Sequence, residues 1–114
     1  MTDPFRERGK GFEAKYEQDE AIRFRVVTRR NKLLGLWVAG QIGLSGKAAE
    51  AYAQEMVDHD LVHPAEDSVL AKAQADMTAK GLTISRHRLD LRLAKLLQEA
   101  EEQVHGEIAG TPLH

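Results

Sequence analysis

Residues 29–46 read RRNKLLGLWVAGQIGLSG. Leu33, Leu34, Trp37 and Val38 recur at intervals of three and four, which places them on one face of a helix. Gly43 suits the left-handed position just past a helix end, and Leu44 can fold back on the last turn. Ser45 can then cap a second helix. The stretch reads as a core-facing helix, a tight reversal and the start of a second helix.

The same periodicity extends in both directions. Towards the N-terminus the helical pattern begins at about Glu20. Ile22, Val26, Leu33 and Trp37 share one stripe, with Val27, Leu34 and Val38 beside it. The second helix carries Ala49, Tyr52, Ala53 and Met56, and should end near His63 because Pro64 disfavours helix in the residue before it. A third, shorter helix presents Val69, Leu70, Ala73 and Met77. Gly81-Leu82 repeats the glycine-plus-leucine ending. Thr83 or Ser85 can cap a fourth helix with Leu89, Leu93, Leu96, Leu97, Ala100, Val104 and Ile108 inward, and the tail AGTPLH reads as loop.

Four amphipathic helices with short connections predict an all-α protein, a four-helix bundle with a flexible N-terminal arm. The expected divisions are an arm over residues 1–18, the bundle over 19–109 and a tail over 110–114. The arm contains Pro4, Gly9 and Gly11 and few aliphatic residues. Each interior glycine weakens a helix by about 1 kcal/mol, so the segment is expected to be mobile when alone.

Composition narrows the function classes. At 114 residues, 42% apolar and 30% charged, the chain has the balance of one soluble domain. It has no cysteine, which excludes disulfides, iron–sulfur clusters and thiolate zinc sites. The N-terminus lacks the apolar core of a secretory signal, and no apolar run approaches the roughly 20 residues of a membrane span. A soluble, cytoplasmic protein without direct membrane insertion is expected. The net charge of −2 argues against general nucleic-acid binding. Residues 21–40 nevertheless carry five basic side chains and no acidic one. Pairing with acidic neighbours is one explanation, and a ligand or partner surface is the other.

Several motifs fall short of a site. GQIGLSGKA lacks the first glycine of a Walker A loop at Gln41 and the hydroxyl after Lys47, where Ala48 stands, and it follows a helix rather than a strand. HDLVH places His59 and His63 at i and i+4, as zinc-binding histidines are placed, but the acid between them is Asp60 and no third ligand is evident. Ser45, Ser68 and Ser85 have cap-like surroundings and no nucleophile elbow. The fourth helix opposes its own macrodipole, with Arg86, Arg88 and Arg92 early and Glu99, Glu101, Glu102 and Glu107 late. Interhelix salt bridges and a charged docking surface are competing explanations. No active site is evident, and a non-enzymatic role is expected.

The arm is the better candidate. Phe5, Phe12 and Tyr16 stand at i, i+7 and i+11, one face once the segment is helical. Arg6, Arg8, Lys10, Glu13, Lys15 and Glu17 surround them. Aromatic side chains on a glycine-weakened segment suit an arm that folds into a partner's groove.

From Arg29 to Ala53 the pattern RRNKLLGLWVAG-x-x-GLSG-x-x-AEAYA resembles the zeta subunit of alphaproteobacterial F-type (rotary) ATP synthases, an ATPase-inhibitor family. The order of charged arm, four helices and short tail is similar too. The match weakens from His63 onward, where the helix pattern and the neighbourhood of Asp67, Ser68 and Val69 carry it. Members have a small residue and a histidine before the aspartate at position 19, where this chain has Glu17 and Gln18. That departure bears on inhibitory strength.

The resemblance implies a regulatory inhibitor of the synthase, located at the cytoplasmic face of the inner membrane when bound. Its partner is the catalytic head, made of α, β and rotor subunits, where the arm enters a catalytic interface as a helix and blocks ATP hydrolysis. Phe5, Arg6, Arg8, Phe12, Glu13, Lys15 and Tyr16 are then the partner-binding residues. The resemblance further implies ADP or ATP as a regulatory ligand of the bundle. Arg29, Arg30 and Lys32 are the candidate phosphate partners, with Asn31 able to hydrogen-bond a base or ribose. The rival reading pairs these four with acidic groups on helices two to four or on the synthase. Two alternatives of other classes are a nucleotide-sensing helical module with a different partner, and a small zinc hydrolase using His59 and His63.

Overall fold

The computed structural model describes the backbone of residues 4–65 and 67–110, with side chains from Glu20 onward. They form four helices: α1 (Pro4–Gln41), α2 (Gly46–Val62), α3 (Ser68–Ala79) and α4 (Arg86–Gly110). The fold is the expected all-α bundle. The tail residues 111–114 lie outside the described residues, and so do the side chains of Phe5, Arg6, Arg8, Phe12, Glu13, Lys15 and Tyr16.

The main departure from expectation is the start of α1, at Pro4 rather than near Glu20. Proline is favoured at the first helical position, where its missing N–H belongs to a group with no intrahelical partner. Gly9 and Gly11 weaken a helix without breaking it. The helical backbone therefore runs unbroken from the arm into the bundle.

Both glycine–leucine reversals form as the sequence indicates. Gly43 has φ +88°, the Leu44 amide donates to the Ala39 carbonyl (2.8 Å), and the Gly43 amide donates to that of Gly40 (3.3 Å). Gly81 has φ +79°, with Leu82 donating to Met77 and Gly81 to Thr78, both at 2.9 Å. These paired bonds satisfy carbonyls that the helix end leaves open. Ser85 caps α4, accepting the Arg88 amide on Oγ at 3.1 Å. Ser45 occupies the capping position of α2, but its hydroxyl makes no capping bond. Gly46, immediately after it, is left-handed at φ +57° and starts the helix by a different path.

The core is built from the predicted stripes. Leu34, Val38, Tyr52, Met56, Val69, Leu70, Ala73, Met77, Leu89 and Leu96 form one buried cluster. Leu33 and Trp37 are half-buried against it. Val26, Ala100 and Val104 form a second cluster further along α1 and α4. Ile108, expected inward, is exposed. Gly35 sits where α1 meets α2 closely: a Cβ there would lie 2.5 Å from the Ala53 Cα.

Candidate functional site

The basic stretch of α1 divides between two environments. Helical geometry turns consecutive residues by about 100°, so neighbours in sequence face different elements. Arg29 points towards α4, where it donates to Gln103 Oε1 (2.8 Å) and Glu107 Oε1 (3.0 Å) and approaches Glu107 Oε2 at 2.7 Å. Arg25, one turn earlier, donates to the same carboxylate at 3.0 Å. The Arg29 hydrogen bond is the main cause holding the Glu107 carboxyl below its ordinary pKa, with Arg25 adding to it.

Arg30 and Asn31 face the junction of α1, α2 and α3. Asn31 is 2% exposed. Its Oδ1 accepts from Arg30 Nε (3.0 Å) and Nη2 (2.9 Å), and its Nδ2 donates to Asp60 Oδ2 (3.0 Å). Ser68 Oγ, also buried, donates to the other oxygen of Asp60 at 2.8 Å. Among the described residues no buried side-chain polar atom lacks a partner. Burial lowers the pKa of Arg30, and the Asp60 charge opposes that shift. This chain of bonds fixes three helices at one point and leaves neither Arg30 nor Asn31 facing the cleft described next.

Beside the network lies a cleft of about 280 Å³ between α1 and α2, lined by Phe24, Arg25, Thr28, Arg29, Lys32, Gln54 and Val57. It unites three cationic side chains, an exposed aromatic ring, a hydroxyl and an amide. Two of the four predicted nucleotide-contact residues, Arg29 and Lys32, line it; the other two do not. Phe24, Arg25, Thr28 and Gln54 were not singled out from sequence. The available signal was spacing: Phe24, Thr28 and Lys32 stand at i, i+4 and i+8, and Arg25 and Arg29 one turn apart.

Three of the charges of α4 find partners outside that helix. Glu107 takes the two arginines of α1, and Arg86 pairs with Asp67 at 2.8 Å. The Arg92 guanidinium lies 4.9 Å from the Trp37 ring centre. Trp37 is thus half-buried core with a cation over its exposed face.

Towards the end of α2, the His59 and His63 rings are 4.8 Å apart and tilted by 45°. They line a shallow groove with Glu55, Asp58, Val62 and Lys72. Among the described residues, no three histidine or acidic side chains come together as metal ligands require. Nearby, Tyr52 donates to Asp76 Oδ2 at 2.6 Å, and Lys72 reaches the same oxygen at 3.0 Å. No described helix is long and apolar enough to cross a membrane.

No curated protein and no solved structure matches the chain. The family model described as ATPase inhibitor subunit zeta matches residues 1–103, which takes in the arm, all three turns and most of α4. The chain belongs to the ATPase inhibitor subunit zeta family.

Proposed function

We propose that this protein blocks ATP hydrolysis by an F-type ATP synthase, inserting residues 1–18 as a helix at a catalytic interface of the head. The bundle is the folded base from which that helix extends. The observation that supports the reading is α1 itself, whose helical backbone runs from Pro4 into the core. A helix already in register can place Phe5, Phe12 and Tyr16 on one face of a partner groove. Their burial offsets the cost of holding the segment in place. Arg6, Arg8, Glu13 and Lys15 then meet charged groups at the rim, where they select the partner more than they tighten binding.

The test is inhibition of ATP hydrolysis by a purified catalytic head. Replacing Phe12 and Tyr16 together by alanine should raise the half-inhibitory concentration at least tenfold, as loss of buried aromatic anchors does. The bundle should stay folded by circular dichroism. Unchanged inhibition would remove the aromatic anchors from the account.

The cleft supports a second role, ADP or ATP as a regulatory ligand of the bundle. Lys32 offers an unshared charge to phosphates, Arg25 and Arg29 share theirs with Glu107, and the exposed Phe24 ring offers a face to a base. Titration with ATP should shift the amide resonances of residues 24–32 and 54–57. Arg29→Ala with Lys32→Ala should abolish those shifts. Persistence of the shifts at unchanged affinity would place the ligand elsewhere.

A further inference from the structure

Five large apolar side chains of the described residues are exposed, and four of them lie on the last turns of α2 and α4 and on the stretch of α1 beside them. Glu107 of α4 is tied to Arg25 and Arg29, and Asp60 of α2 is tied to Asn31. The last turns of α2 and α4 therefore both reach the same part of α1, around residues 24–31. Phe24 (58% exposed), Leu61 (55%), Val62 (70%) and Ile108 (38%) stand at that end. The fifth, Leu91, belongs to the other end, one residue before the Arg92 that covers Trp37. From Phe24 the helical backbone of α1 continues outward for about 30 Å to Pro4.

Exposed single apolar residues are ordinary, but a group of them at one end of a small domain marks a contact surface. Two further observations identify its occupant. First, α1 is one helix on both sides of this region, so a protein that holds the arm meets the bundle at this end before any other. Second, Phe24 is flanked by Arg23 and Arg25, and Lys32 follows two turns later. Among the described residues Arg23 and Lys32 are exposed and form no ion pair. A complementary surface has apolar side chains bordered by carboxylates.

We infer that this end of the bundle docks on the ATPase as well, with Phe24, Leu61 and Val62 packing against an apolar, carboxylate-bordered surface next to the site that takes the arm. The inference rests on the inhibitor reading above. It gives the bundle a binding role in addition to carrying the arm, and makes inhibition depend on residues outside the arm.

The experiment compares full-length chains in the hydrolysis assay: the unsubstituted protein, Leu61→Ser with Val62→Ser, Phe24→Ser, and Leu91→Ser as a surface control. Circular dichroism and sedimentation accompany each. The paired substitution and Phe24→Ser are each expected to raise the half-inhibitory concentration about tenfold or more, with the fold intact and Leu91→Ser unchanged. If the paired substitution disturbs the fold, Phe24→Ser carries the test alone. Equal inhibition by folded variants and the unsubstituted chain would overturn the docking surface while leaving the arm in place. A larger effect of Leu91→Ser would overturn it too. So would an unsubstituted chain that self-associates through these residues, because the surface would then belong to a second copy. Failure of the unsubstituted chain to inhibit at all would overturn the inhibitor reading and the docking with it.

Discussion

Tyr52 shows how one side chain couples the α2–α3 interface to pH. Its phenol is buried and donates to the Asp76 carboxylate at 2.6 Å, and Lys72 lies 5.3 Å from the ring centre while pairing with the same carboxylate. Burial first, and then Asp76, push the phenol pKa well above its ordinary 10.0. The neutral phenol is favoured in the folded state, so its contribution is complete below pH 10 and is lost as pH rises towards the folded value. Above pH 10 stability should therefore fall by about 1.4 kcal/mol per unit on this group's account. Tyr52→Phe should flatten that fall, at the cost of about 1 kcal/mol at neutral pH for the lost hydrogen bond. Denaturant midpoints at pH 8 and 11 for both proteins check this, and parallel losses would contradict it. Tyr52 was legible as a core residue from its place on the α2 stripe; its proton chemistry was not, because Asp76 lies on another helix. Arg30 and Asn31 show the same limit. A run of four polar residues looks like one site in sequence, yet the helix turns Arg29 to Gln103 and Glu107 of α4, Lys32 to the cleft and Asn31 to a buried junction with Asp60 and Ser68.

At the scale of elements, local chemistry determines where helices end, and close approach determines how they pack. The two glycine–leucine reversals were readable because each needs only a left-handed residue and an apolar one after it. The start of α1 was not, since the apolar stripe that signals a helix fades before Glu20 while the backbone stays helical to Pro4. Gly35 went without a role in the sequence reading, because closeness to Ala53 is a tertiary fact. Its replacement by alanine should destabilise the bundle. A Cβ 2.5 Å from the Ala53 backbone forces α1 and α2 apart, at roughly 1–3 kcal/mol, against a helix-propensity gain of about 1 kcal/mol. Gly40→Ala meets nothing within 4 Å and should raise stability by a few tenths of a kcal/mol up to about 1 kcal/mol. Thermal melts of the two variants should move in opposite directions; a stabilised Gly35→Ala protein would contradict the close α1–α2 contact.

At the scale of the whole molecule, a bundle with its own two-cluster core carries one helix that continues well past it. The polar junction at Asn31 and the Glu107 pairs lock that helix to α2, α3 and α4 over residues 25–31, so force or displacement at the arm reaches the core along a continuous backbone. The family's description names an ATPase inhibitor subunit, and the proposed division into a folded base and a helix offered to a partner is one way to act as one. The most direct measurement is ATP hydrolysis by a purified alphaproteobacterial catalytic head, titrated with the full chain and with a chain beginning at Asp19. Inhibition by the full chain and none by the shortened one is the predicted result. Equal inhibition by both, or by neither, would contradict the arm as the inhibitory element.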